Sequence, residues 1–220
     1  MSNVEHNEHK EHIENVISRT FKIIKNVYDN QQEKNGLKVA GNGSRIIFPK
    51  KRTGKKGKDE TRISEQELRF IFVEQLNKEI GVKDNGKPNW DVYYSVETPT
   101  MHGYKGFKNG RPKVDDENGQ SGNIDLTIHD NQGNRICLIE FKALNPKKAD
   151  YQKDFFKLEN EDEKKENLFR YFIQIVENVN SRTMNNIGRK IGKENYVHVL
   201  YKCYCLDNGE EQTLDINLTQ

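Results

Sequence analysis

Asp125, Glu140 and Lys142 are the residues whose types and spacing could do chemistry. They lie in the stretch NIDLTIHDNQGNRICLIEFK (123–142), two apolar runs joined by the polar, glycine-containing segment Asn131-Gln132-Gly133-Asn134. The runs predict strands near 123–129 and 135–143, and the junction predicts a hairpin turn. With the turn centred there, paired residues sum to 265 and Asp125 falls opposite Glu140. Side chains alternate along a strand, so Lys142 shares their face. Opposite residues have Cβ atoms about 5 Å apart, and like charges at that separation destabilise a sheet.

A hard divalent cation would resolve that conflict. Mg²⁺ is commonly held by one or two carboxylates, with water completing an octahedral shell. Such an ion lowers the pKa of a bound water and offsets charge on a phosphoryl oxygen. A neighbouring lysine can orient the attacking water or help to deprotonate it, and can hold a phosphate oxygen. The three residues therefore predict metal-assisted hydrolysis, with phosphodiesters as substrates. The plainer reading is a structural ion pair on a wet face, with Lys142 bridging two acids. Ile136, Cys137, Leu138, Ile139 and Phe141 weigh against it, because they make the second strand apolar on both faces, where unpaired acids are costly.

The elements that must position these residues are legible around them. Ile13, Val16, Ile17, Phe21, Ile24, Val27 and Tyr28 recur mostly at three and four, predicting an amphipathic helix over 10–30. Residues 31–43 read as loop. Residues 44–58 hold seven Lys or Arg and no acid, predicting an exposed, flexible cationic segment. Ser64 and Glu67 form a capping-box pattern ahead of an apolar run that continues to Ile80, with Gly81 as the stop. A strand is expected over 91–98, a long polar loop over 101–122, and helical segments over 151–158 and 168–179 after Pro146. Strands follow over 196–206 and, briefly, 213–218. From residue 64 the order is helix, strand, strand, strand, helix, strand. This is an α/β arrangement, with the long helix crossing over between the last two main strands.

Asp125, fourteen intervening residues and then Glu140-Phe141-Lys142 resemble the core motif of the PD-(D/E)XK nuclease superfamily. The element order resembles that family's αβββαβ core, and the likeness covers about residues 64–206. It implies a restriction-endonuclease-like domain over 61–220, with a mixed central sheet flanked by helices. Residues 1–60 would be an N-terminal extension of one helix and a basic loop. Asp125 and Glu140 would hold Mg²⁺, with Mn²⁺ able to substitute and the Phe141 carbonyl as a further ligand. An acid of the first core helix often completes such sites; Glu67 is the first choice, with Glu65 and Glu74 behind it. The capping box offers Glu67 a purely structural role, and the two readings stay open. Lys153 and Lys157, in the following helix, could meet a phosphate. The position before the Asp, nominally Pro in the motif, is Ile124 here. The implied activity is metal-dependent hydrolysis of DNA, expected to be endonucleolytic, in restriction, phage defence or repair. Many enzymes of this class act as homodimers, and the helix over 10–30 could supply an interface. The alternative is a catalytically silent nuclease-fold module that binds nucleic acid or a protein partner.

Bulk properties bound these readings. The chain has 220 residues, 33% hydrophobic and 32% charged, and a formal net charge of +2. Mean hydropathy is −0.99. These values suit one domain with an extension, or two small ones. Charge is clustered: Lys50, Lys51, Arg52, Lys55, Lys56 and Lys58 form one candidate phosphate-contacting set, and Lys105, Lys108, Arg111 and Lys113 a second. Cys137, Cys203 and Cys205 lie in apolar runs at spacings unlike a zinc knuckle, so they read as small buried residues in a reducing compartment. With no apolar leader and no run of 18 apolar residues, the expected location is cytoplasmic. His6, His9 and His12 sit three apart and could bind a metal if helical, although terminal polar residues are more often disordered. His129 could approach the edge of the Asp125 site, and a satisfied structural histidine is the commoner outcome. Glu97 is a rival acid near a strand end, where simple exposure is favoured.

Overall fold

Thirty residues, Asn3–Gln32, form the first helix (α1). A computed structural model of the chain describes residues 3–32, 44–52, 59–83, 85–106, 113–144, 148–160, 167–178 and 198–214. The predicted apolar stripe from Ile13 to Tyr28 is buried. It packs in the same apolar cluster as Leu68, Ile71, Phe72 and Leu76 of the second helix (α2, Glu65–Ile80) and Leu126, Ile128, Ile139 and Phe141 of the sheet. The stripe considered above as a dimer surface is thus covered by the chain itself.

The main sheet has seven strands: β3 (Val92–Lys105), β4 (Lys113–Val114), β5 (Gln120–Asp130), β6 (Arg135–Ala143), β7 (Phe169–Val176), β8 (Leu200–Cys205) and β9 (Glu211–Leu214). They run in the order β4-β3-β5-β6-β7-β8-β9. The pairs β6–β7 and β7–β8 are parallel and the others antiparallel. The third helix (α3, Lys148–Asn160) links β6 to β7 and covers the opposite face. There Tyr151, Phe155 and Leu158 meet Leu138, Phe172 and Tyr201, and Phe155 stacks on Phe172 at 4.4 Å between ring centroids. The chain is therefore an α/β protein with a mixed sheet between two helical layers. No helix among the described residues is long and apolar enough to cross a membrane.

Three expectations are corrected. The apolar run from Phe169 is a strand, with every residue from Phe169 to Val176 buried. A parallel strand covered on both faces reads as a continuous apolar run, which spacing alone cannot tell from a helix. The expected loop over 101–122 instead contains the end of β3, all of β4 and the start of β5. Its glycines allow close approach of backbones: a Cβ at Gly103 would lie 2.7 Å from the Asp115 carbonyl oxygen. The cationic stretch is not uniformly exposed, because Ser44 and Phe48 are buried. Its Lys50–Arg52 (β1) pairs antiparallel with Asp59–Thr61 (β2), setting Lys51 opposite Glu60 and Arg52 opposite Asp59. Lys55, Lys56 and Lys58 lie outside the described residues, as does the expected loop over 33–43.

The helix ends of α2 fall where the sequence places them. Ser64 is the N-cap, and Gly81 terminates the helix at φ 30° with its N–H donated to the Asn77 carbonyl at 3.1 Å. Near that C-terminus Glu79 fastens α1. It receives Nδ1 of His12 at 2.6 Å and an Arg19 guanidinium, and its side chain is only 8% exposed. Burial alone would raise the Glu79 carboxyl, but hydrogen bonds from His12 and Arg19 hold it below its ordinary 4.5. A depressed folded-state value contributes stability above 4.5 that is lost as pH falls through the folded value. Glu79→Ala is expected to cost about 2 kcal/mol near neutral pH. In denaturant titrations that difference should shrink on acidification below 4.5.

Candidate active site

The β5–β6 ladder runs from the turn to Leu126–Ile139, in the predicted sum-265 register, and its paired residues end there. A bulge at Ile128–His129 absorbs the odd residue of the turn, where Gly133 sits at φ 83°. One position beyond the last pair, the Asp125 carboxylate takes over as acceptor: its Oδ2 receives the Phe141 backbone N–H at 2.8 Å. Ile124 packs on the α3 side of the sheet while Leu126 packs on the α1–α2 side, so strict alternation breaks at Asp125. On the neighbouring strand β3, Glu97 lies in the register gap facing Asp125 and adopts φ 49°. Leu144, just past β6, has φ 59°. These two left-handed non-glycine residues border the charged cluster, the kind of place where strained backbone concentrates.

Glu140 is 1% exposed in the middle of β6. Its partner is Lys157 of α3, whose ammonium bonds Oε1 of Glu140, lies 3.1 Å from Oδ1 of Asp154 and donates to the Asn123 carbonyl at 2.7 Å. Lys142 lies 2.8 Å from Oδ2 of Asp154 and donates to Oε2 of Glu65 at 3.2 Å. Asp154 is thus shared between the two lysines, with Oδ1 facing Lys157 and Oδ2 facing Lys142. Arg69 of α2 pairs with Glu97 at 2.5 Å and stands 3.9 Å from Asp125. A cleft of about 450 Å³ opens beside the cluster, lined by Ile63, Ser64, Glu65, Lys142, Ala143, Lys153 and Asp154.

The electrostatics follow from that burial. Glu140 is pushed well above the ordinary carboxylate range by burial first, then by Asp154 and Asp125, against the pull of Lys157. For Lys142 burial acts downward, but Asp154, Glu65 and Glu140 together raise it. Burial also acts downward on Lys157, and Glu140 and Asp154 outweigh it. Both lysines therefore stay cationic at neutral pH. Lys142 is suited to donate hydrogen bonds and offset negative charge, and unsuited to take a proton from water.

The structure brings Asp125, Glu140 and Lys142 into one cluster, and it sorts the remaining candidates. Glu67 is held by Ser64 and Arg62, the latter at 3.2 Å, so Ser64 and Glu67 join through their side chains. The first-helix acid that reaches the cluster is Glu65, through Lys142. Asp154 was missed by sequence reasoning; its signal is the spacing Asp154–Lys157, one helical turn apart under a strand carrying two more charges. Lys157, expected at a phosphate, is 3% exposed and committed to Glu140 and Asp154. Lys153 lines the cleft. Lys105 pairs with Asp115 at 2.7 Å. Lys108 and Arg111 lie outside the described residues. His129 bonds Ser95 at 2.8 Å. The N-terminal histidines part company: His6 stacks on Phe169, His9 accepts from Trp90 Nε1 at 2.9 Å and His12 bonds Glu79. All three cysteines are buried and free.

Comparisons with protein-family models, curated proteins and solved structures give no match. The cluster must be judged on its own chemistry. Among the described residues no group of three or more His, Cys, Asp or Glu converges as metal ligands. Two carboxylates with water suffice for Mg²⁺, however. Glu65, Asp125, Glu140 and Asp154 against Lys142 and Lys157 leave two negative charges in excess, with Arg69 shared between Asp125 and Glu97. The buried acids Glu140 and Asp154 are matched by Lys157 and Lys142, and the excess lies with the more exposed Glu65 and Asp125, whose oxygens suit a hard divalent cation.

A carboxyl whose folded-state pKa is raised contributes stability below its unfolded value that is lost as pH rises through the folded value. Without divalent cations, the stability of Glu140→Gln relative to wild type should therefore rise between pH 4 and pH 8. Denaturant titrations of both proteins at both pH values measure this. A difference that does not change with pH would show that ionising the buried carboxyl carries no net burden.

Proposed function

We propose that this chain is a Mg²⁺-dependent nuclease that hydrolyses phosphodiester bonds of DNA, with Mn²⁺ able to substitute. The observation that carries the reading is Glu140: a carboxylate buried at mid-strand, crowded by Asp125 and Asp154 and flanked by the cationic Lys142. A protein built only for stability gains little from such a group, because buried charge is expensive even when paired. The succession α2, β3, β5, β6, α3, β7 also supports the restriction-endonuclease-like reading, as do the positions of Asp125 and Glu140 on adjacent strands.

In this reading Asp125 and Glu140 hold the cation, with the Phe141 carbonyl beside them and Glu65 in place of Glu67 as the first-helix acid. The bound ion would activate water and offset charge on the phosphoryl oxygens. Asp125 is kept in place by the Phe141 amide, which leaves its other oxygen facing Arg69. Lys142 orients the water and stabilises the phosphorane as a fixed cation. Lys153, at the cleft, and the β1–β2 hairpin supply backbone contact. That hairpin carries Lys50, Lys51 and Arg52, and its second strand ends at Thr61, two residues before the cleft residue Ile63.

The second reading is a catalytically silent module on a nuclease-like fold, and one observation favours it. Lys157 already neutralises Glu140, so the ion network closes without a metal. Plasmid, linear duplex, single-stranded DNA and RNA, each incubated with Mg²⁺ and with chelator, separate the two readings. Wild type should cleave DNA only with the ion. Asp125→Asn, Glu140→Ala and Lys142→Ala should each fall by about 10²–10³-fold. Identical products from wild type and Glu140→Ala would remove the nuclease reading.

A further inference from the structure

Lys157 occupies the place in the cluster that a small cation would choose. Its ammonium is surrounded by the Glu140 carboxylate, Asp154 Oδ1 at 3.1 Å and the Asn123 carbonyl at 2.7 Å. The three partner side chains are almost fully enclosed: Lys157 is 4% exposed, Glu140 2% and Asp154 7%. Hard divalent cations seek such an all-oxygen set of carboxylates and carbonyls. The stem reaches this seat past Gly122, where a Cβ would lie 3.0 Å from Lys157 Cδ. Any side chain at residue 122 would therefore press on the lysine. The other oxygen of Asp154 faces Lys142 at 2.8 Å, so this carboxylate stays partnered when Lys157 withdraws.

We propose that Lys157 is a built-in counter-ion that competes with a divalent cation for Glu140. With its ammonium between Glu140 and Asp154 the cluster is closed and stable. A divalent ion takes Glu140 only as the lysine withdraws along its flexible stem, and so Lys157 sets the cation affinity of the site. This rests on the metal-dependent reading above and adds to it a residue that opposes binding. Removing one positive charge from between two buried carboxylates should strengthen cation binding. It should also destabilise the cation-free fold, because breaking a buried pair leaves uncompensated charge.

Mn²⁺ binding to the full chain, followed by the electron paramagnetic resonance of free Mn²⁺, tests the proposal without reference to activity. Lys157→Met should bind Mn²⁺ at least tenfold more tightly than wild type, and adding Glu140→Gln should abolish the gain. The thermal midpoint of Lys157→Met should lie below that of wild type in chelator and rise further with saturating Mn²⁺. Lys157→Gln keeps a hydrogen-bond donor without the charge, and it keeps the test decisive if Lys157→Met does not fold. If wild type and the folded variants bind Mn²⁺ equally, and Glu140→Gln abolishes binding in each, the counter-ion proposal is wrong and the metal site stands. If none binds Mn²⁺ at millimolar concentration, the metal site and the proposal both fall.

Discussion

A carboxylate in the middle of a strand buried on both faces is the constraint around which this molecule is arranged. Glu140 lies on β6, between the α1–α2 layer and the α3 layer, where a lone charge would be prohibitively costly. The chain meets that cost by crossing over through α3, which brings Lys157 and Asp154 onto the carboxylate. It then links the remaining oxygen of Asp154 to Lys142 and that lysine to Glu65 of α2. Three elements, β6, α3 and α2, are tied together through charges around one residue. Fully apolar packing would have held them with less electrostatic burden.

The opposite layer is organised by the same device in milder form. Glu79 anchors α1 through His12 and Arg19, and Glu14 receives the Tyr171 hydroxyl at 2.8 Å and Lys202 at 2.8 Å. Polar fastenings at the border of a large apolar cluster fix the position of a long helix that hydrophobic contact alone would leave free to slide. Here each acid opposes a partner of the other sign, Glu79 with Arg19 and Glu14 with Lys202.

Much of the site was legible in the sequence because strands obey simple counting. The register from Ile128 to Leu126 and the burial of β6 follow from alternation and one turn, whereas the break in alternation at Asp125 does not. Counting stopped working where tertiary context intervenes. Nothing in the Phe169–Val176 run distinguishes a buried parallel strand from a buried helix, because both hide apolar residues in every direction. Glu67 carried the capping signature, and its pairing with Ser64 and Arg62 leaves Glu65 at the cluster. Asp154 and Lys157 lay in a helix whose face depends on which strand follows it, so misreading β7 concealed their role. Lys157 looked like a phosphate ligand because cationic residues default to solvent, yet it is among the most enclosed polar groups.

The way α1 is closed in has a consequence for how the chain reaches this state. Tyr28 donates to Asp207 at 2.9 Å and Phe21 stacks on Tyr204, contacts that span nearly the whole sequence. Helix α1 is synthesised well before β8 and therefore exposes its apolar stripe until that last parallel strand has been made. Pairings of such long range are slow to form, and apolar surface left waiting for them is prone to aggregate. Recovery of folded protein should depend on synthesis rate and on chaperone supply more than on the final stability of the fold.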